Sequence, residues 1–96
     1  MDLTDCLSIE QSGRAGRITA KIDRYVLPFD WEFGAAPVVV IVHVPSTDQW
    51  SAQEPWRSLD RNVVLDALGR ELCRVRCRDC EHSFDDRFLE LRQRAK

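Results

Sequence analysis

The sequence has no long hydrophobic run. Its longest apolar stretch, Val38 to Val44, is interrupted by His43 and closed by Pro45, whereas a helix that crosses a bilayer needs about 20 predominantly apolar residues. Asp2 and Asp5 occupy positions at which a secretory signal would carry basic residues. We therefore expect a protein that does not enter the membrane and that resides in the cytoplasm.

The sequence also lacks the motifs of common catalytic sites. It contains no Gly-x-Ser-x-Gly nucleophile elbow, and no Lys-Ser/Thr pair or third glycine follows Gly13 and Gly16 as in phosphate-binding loops. A Cys–His pair such as Cys80 and His82 has no evident third group to orient the histidine. We expect no enzymatic activity, and an enzyme built on this pair is a third hypothesis with less support than the two given at the end of this subsection.

The composition is otherwise that of an ordinary small domain. The chain of 96 residues is 44% hydrophobic and 31% charged, which predicts a single compact domain over residues 1–96 with a modest core. Its net charge of −2 is unevenly spread: residues 1–56 hold four basic and eight acidic side chains, and residues 57–96 hold ten and eight. This split is too mild to predict nucleic-acid binding by itself.

Alternating apolar and polar residues predict strands in the first half of the chain. Leu7 and Ile9 belong to a short strand that ends in the glycine-containing turn 12–16, and residues 17–26 alternate as a half-buried strand does. Residues 38–44 give the strongest strand signal. Because this run is apolar on both faces, we expect it in the centre of the sheet with both sides covered.

Residues 61–78 allow two interpretations, a helix or a hairpin in which 62–66 pairs with 71–78. A helix would gather four aliphatic side chains into one stripe, namely Val64, Leu65, Leu68 and Leu72. A strand would separate sulfur and aliphatic groups from basic ones, with Cys73, Val75 and Cys77 on one side and Arg74, Arg76 and Arg78 on the other. We favour the hairpin, since the separation is complete and an interior Gly69 costs a helix about 1 kcal/mol.

The last segment is predicted as an amphipathic helix. Ser83 is a suitable N-cap, acidic residues follow in the first turn, and Phe84, Phe88 and Leu91 recur at helical spacing. The predicted fold is therefore α+β: a small antiparallel sheet of about four to five strands with one C-terminal amphipathic helix packed on one face. Open strand edges in such a sheet leave room for a homodimer.

A cysteine pair with metal-binding spacing is followed by a histidine, so the candidate metal ligands are Cys77, Cys80 and His82. The C-x-x-C turn resembles one half of a zinc ribbon, but the second C-x-x-C of a ribbon is missing, and Cys6 or His43 would have to supply a fourth ligand. In the alternative interpretation the cysteines are small core residues. Zinc is the one cofactor that the sequence suggests.

Tryptophan and arginine most often dominate protein interfaces. Trp50 and Trp56 lie in segment 45–58, which we predict as a long loop, and Trp31 lies in the aromatic segment 29–33. We predict as partner contacts these three tryptophans together with three basic residues, Arg74, Arg76 and Arg78. The alternatives are that the tryptophans cap the core and that the arginines form the solvent side of a strand.

Two functional hypotheses follow. The first is a small non-enzymatic protein-binding domain, an adaptor or an inhibitor, of a size that fits the inhibitors that mobile elements encode. The second is a zinc-stabilised nucleic-acid-binding module that uses the Cys77-x-x-Cys80-x-His82 knuckle.

Overall fold

The computed structural model describes residues 1–94 and shows one antiparallel sheet with one long helix against it. The strands are β1 (Leu7–Ser12), β2 (Ala15–Ile22), β3 (Tyr25–Phe33), β4 (Val38–His43), β5 (Cys80–Phe84) and β6 (Phe88–Gln93). The helices are α1 (Thr47–Ala52) and α2 (Arg61–Arg76), and a short 3-10 turn spans Trp56–Ser58. The order across the six-stranded sheet is β1-β2-β3-β4-β6-β5. The predicted α+β class is confirmed.

Along β2 and β3, the alternation of apolar and polar residues in the sequence corresponds to an alternation of buried and exposed side chains. In β3, Leu27, Phe29 and Trp31 are buried, and the residues between them are exposed. The segment that we predicted as one strand, 17–26, instead turns at Asp23, whose φ of 54° lies in the left-handed region. The aromatic segment 29–33 belongs to β3, and its aromatic residues alternate with Asp30 and Glu32 as a strand requires.

The central position predicted for residues 38–44 is confirmed, because β4 pairs with both β3 and β6. Val40 and Val42 are buried on the side that carries the core. The other side is covered less well than we expected, since Ile41 is half-buried and His43 is exposed.

The hairpin predicted for residues 62–78 is wrong, because Arg61–Arg76 form α2. Asp60 is the N-cap, and its carboxylate accepts a hydrogen bond from the Val63 N–H. The aliphatic stripe of α2 is buried against the sheet, whereas Val75 is 43% exposed. The free energy gained by burying this aliphatic stripe thus outweighs the separation of apolar from basic side chains that a strand would have given.

Gly69, which we counted against a helix, is required by the way α2 packs. A Cβ at this position would overlap the imidazole ring of His82 on β5. The glycine lets the two backbones approach, and His82 Nε2 then lies 3.0 Å from Oδ1 of Asp66, one turn earlier on α2.

The predicted C-terminal helix is also wrong, since residues 80–93 form the hairpin of β5 and β6. The side chain of Asp85 closes the turn of this hairpin. Its Oδ1 atom accepts hydrogen bonds from the N–H groups of Arg87 and Phe88, each at 2.8 Å. Leu89 and Leu91 lie two residues apart and are both fully buried. This spacing is the period of a strand. The one long helix therefore precedes this hairpin and does not end the chain.

None of the helices within residues 1–94 combines the length and apolar character needed to span a membrane.

We predict that Gly69→Ala destabilises the protein although alanine is the better helix former. Propensity alone would stabilise α2 by up to about 1 kcal/mol, but overlap with His82 should outweigh it and lower the free energy of unfolding by about 1–3 kcal/mol. Urea denaturation measures this difference. In the background of His82→Ala the same substitution should be neutral or stabilising, and a Gly69→Ala variant more stable than the parent protein would contradict the packing described.

Candidate partner-binding surface

Two of the three tryptophans predicted to contact a partner lie in the core. Trp31 is 5% exposed and Trp50 is 3% exposed. Their indole N–H groups donate to backbone carbonyls, that of Trp31 to Glu10 at 3.1 Å and that of Trp50 to Leu59 at 2.9 Å. Neither residue offers surface to a partner in this fold, and the structure shows the alternative in which tryptophans cap the core.

Trp56 is half-buried and stacks edge-on against its aromatic neighbours. Its ring centroid lies 5.4 Å from that of Phe29 and 4.9 Å from that of Trp50. The loop predicted for residues 45–58 is ordered around these rings by α1, whose capping box joins Ser46 and Gln49. Of the three tryptophans, only Trp56 keeps part of its ring accessible.

The helical path of residues 61–76 divides the three predicted arginines between two places. Arg74 and Arg78 border a shallow depression beside β5, whereas Arg76 borders a separate cavity above the middle of the sheet. Arg74 and Arg76 lie two residues apart on α2 and so point to different sides of the helix, and Arg78 follows the helix in the turn that leads to β5. The stripe of three arginines that we expected on one strand face is therefore not formed.

Two further arginines join Arg74 and Arg78 around the depression. We call this set the arginine surface: Arg70, Arg74, Arg78 and Arg94. Sequence reasoning missed Arg70 and Arg94. The spacing of Arg70 and Arg74 at i and i+4 was a signal for the first of them, but it has meaning only on a helix, and Arg78 joins them from the turn that follows α2.

The side chain of Arg74 is held in place by the buried carboxylate of Glu71. Its Nε and Nη2 atoms donate to the two carboxylate oxygens of Glu71, each at 2.7 Å, and Nη2 also lies 3.2 Å from Oδ1 of Asp5. Glu71 is only 5% exposed and accepts a third hydrogen bond from the Asp5 N–H at 3.0 Å. The bonds from Arg74 and Asp5 lower the pKa of Glu71, and Glu71 in turn raises the pKa of Arg74.

The other members of the arginine surface differ in how their charge is balanced. Arg70 lies 3.3 Å from Asp66 and donates to the carbonyl oxygen of Met1. Within residues 1–94, the guanidinium groups of Arg78 and Arg94 form no hydrogen bond or ion pair. The arginine surface therefore combines two guanidinium groups that form ion pairs, those of Arg70 and Arg74, with two that form none within residues 1–94, those of Arg78 and Arg94.

Acidic residues collect on the opposite face of the sheet. The strand register places Glu10, Asp30, Glu32 and Glu90 on the face that points away from α2. Ion pairs to Arg17 and Arg92 balance Asp30 and Glu90 in part, and the Nε2 atom of His43 lies 3.2 Å from Oε1 of Glu32. The net charge of the chain is thus small because a basic side and an acidic side offset each other.

The cysteines predicted to bind zinc are joined to each other. Cys77 and Cys80 form a disulfide with their Cα atoms 5.3 Å apart, and a disulfide sulfur is not the thiolate that ligates a metal. The ring of His82 is turned to Asp66. Within the described residues no group of three or more His, Cys, Asp or Glu side chains is arranged to hold a metal ion, so the predicted knuckle is not formed in this structure.

The remaining cysteines, Cys6 and Cys73, are half-buried free thiols. Burial raises the pKa of Cys73, the opposite of the shift that a nucleophilic cysteine needs. In the cytoplasm that we predicted, free thiols or metal ligands are more common than disulfides, so the Cys77–Cys80 bond does not support that location. Because disulfides are typical of oxidising compartments, the cytoplasmic location stays a prediction.

We predict that Glu71→Gln lowers the free energy of unfolding by about 1–3 kcal/mol at neutral pH, because it weakens the charged hydrogen bonds to Arg74. The pKa of Glu71 is lowered in the fold, so its contribution is complete above the ordinary value of 4.5 and is lost as the pH falls through the lowered pKa. Urea denaturation at a series of pH values should therefore show the two proteins converging in acid.

The exposed Glu81 supplies the control for this measurement. Glu81→Gln removes the same charge from the surface and should change stability by less than about 0.5 kcal/mol. A Glu71→Gln effect as small as this, or one independent of pH, would show that the buried pair does not hold α2 to the N-terminal segment.

Comparisons with protein-family models, with curated proteins and with solved structures found no significant match for this chain.

Proposed function

We propose that this chain is a small non-enzymatic protein-binding domain, an adaptor or an inhibitor, that binds an acidic patch of its partner through the arginine surface. The observation that carries the proposal is a pair of guanidinium groups, those of Arg78 and Arg94, that have no hydrogen-bond or ion-pair partner within residues 1–94, beside the held cations Arg70 and Arg74. Guanidinium groups bind carboxylates through two parallel hydrogen bonds, and this geometry suits protein interfaces.

The fixed cations lower the entropic cost of binding. The guanidinium group of Arg74 is already oriented by Glu71 and Asp5, so ordering it on binding costs little rotamer entropy. Arg78 and Arg94 would gain carboxylate partners that they do not have among residues 1–94 of the free protein. Charges of this kind also speed association with an oppositely charged surface.

Trp56 stays a predicted contact, but on another part of the molecule. It borders a depression with Phe29, His43 and Gln49, whereas none of these residues borders the arginine surface. The proposal therefore depends on the arginines and not on the tryptophans.

The same cations would also meet phosphates, as the nucleic-acid hypothesis requires. We favour a protein partner because Glu81 lies within the depression and Asp66 holds Arg70. The acidic face of the sheet would in addition repel a long polyanion that reached around the domain. The zinc part of that hypothesis has no support from the disulfide-bonded Cys77 and Cys80.

We predict that the double substitution Arg78→Glu/Arg94→Glu weakens binding of a fluorescently labelled acidic peptide about 10-fold or more, since it replaces two favourable contacts by repulsion. Fluorescence anisotropy with a glutamate-rich peptide measures the affinity. A single-stranded oligonucleotide of equal net charge is titrated in parallel under the same salt conditions.

The matched control is Arg14→Glu/Arg87→Glu, which makes the same change in net charge at exposed positions outside the arginine surface. Equal losses in the two double variants would mean that only net charge matters, and the proposed surface would be abandoned. Tighter binding of the oligonucleotide than of the peptide would favour the nucleic-acid alternative instead.

A further inference from the structure

A cavity of about 200 Å³ lies between the C-terminal end of α2 and the inner face of the sheet. Its walls are mostly apolar and come from β1, β3, β4 and α2, with Ile9, Trp31, Phe33, Val39 and Leu72 among them. The arginine surface borders a different depression. This cavity is therefore a feature that the proposed protein-binding function does not use.

The cavity has a cation at its border. The side chain of Arg76 lines it and, within the described part of the chain, makes no hydrogen bond or ion pair. A second guanidinium group, that of Arg14, lies 5.9 Å from the ring centroid of Phe33, one of the lining residues. An apolar chamber with unpaired positive charge at its rim is complementary to a molecule with an apolar body and a negative head.

We infer that this cavity is a binding site for a small monocarboxylic acid with an apolar body. The body would fill the chamber beside Trp31 and Leu72, and the carboxylate would pair with the guanidinium group of Arg76. A dry cavity of about 150 Å³ accepts benzene in a protein core. The chamber described here is slightly larger, so one aromatic ring or a short aliphatic chain is the size that fits.

The wall of the cavity is held in place before any ligand arrives. The indole of Trp31 is fixed by its hydrogen bond to Glu10 and by an edge-on contact with Phe33, whose ring centroid lies 5.0 Å away. Gly16 lies beneath the indole, and a Cβ there would come within 2.9 Å of its Nε1 atom and overlap the Glu10 carbonyl. A wall fixed in this way reduces the ordering cost of binding.

The test uses 3-phenylpropionate and its uncharged amide as probes, titrated into the ¹⁵N-labelled protein. The indole N–H signal of Trp31 should shift, while that of Trp50, which is bonded to Leu59 away from the cavity, should stay in place. The carboxylate should bind about five-fold or more tightly than the amide, because only the carboxylate gains charge-assisted hydrogen bonds from Arg76.

Two variants check the assignment. Arg76→Gln should remove the preference for the carboxylate, whereas Arg87→Gln, a control at an exposed position that borders neither the cavity nor the arginine surface, should retain it. Val39→Phe fills the chamber from a half-buried position and should abolish binding of both probes. Because the side chain of Arg76 forms no ion pair within residues 1–94, its loss should leave the fold intact, as the unchanged spectrum of Arg76→Gln would show.

Either of two results would overturn the inference. One is a Trp31 signal that does not move at millimolar probe, and the other is equal affinity for the acid and the amide in the parent protein. Loss of peptide binding by the arginine surface would not bear on it, since the two sites share no arginine.

Discussion

The packing of α2 against β5 and β6 is the constraint on which the rest of this structure depends. Two features make the contact possible: the aliphatic stripe that begins at Val64, and the missing side chain at Gly69, which lets the helix settle on the His82 ring. The imidazole then reaches Asp66, whose pKa is lowered chiefly by this hydrogen bond. Once α2 lies there, its two flanks become the arginine surface and the border of the apolar cavity.

The sequence predicted the first half of the fold better than the second, and the reasons are physical. Strand β2 was predictable because only one of its faces is buried, which leaves a period of two in its residues, and β4 was predictable from its continuous run of β-branched residues. In residues 71–78 the same period arose by chance on a helix, with Val75 exposed and Cys73 half-buried. Local alternation cannot show which side chains will meet a partner element, and here the tertiary contact at Gly69 decided the outcome.

The C-terminal hairpin was misread for a related reason. Asp85 and Asp86 satisfy backbone N–H groups in a helix N-terminus and in a tight turn alike, and in this protein they serve the turn and α1. The prediction of the candidate site depended on the same secondary-structure assignments. Arg74 and Arg78 were identified from composition, but their grouping with Arg70, and the separation of Arg76 from them, followed only from the helix.

The disulfide between Cys77 and Cys80 encloses only Arg78 and Asp79. A ring this small removes little freedom from the unfolded chain, because the entropic benefit of a cross-link grows with the length of the loop it closes. Its influence is therefore directional and not global: it sets the angle at which the chain leaves α2 and enters the edge strand. Arg78, which forms no ion pair within the described residues, is thus displayed on a corner that is closed twice, by the disulfide and by the hydrogen bond from the Cys80 N–H to the Cys77 carbonyl oxygen.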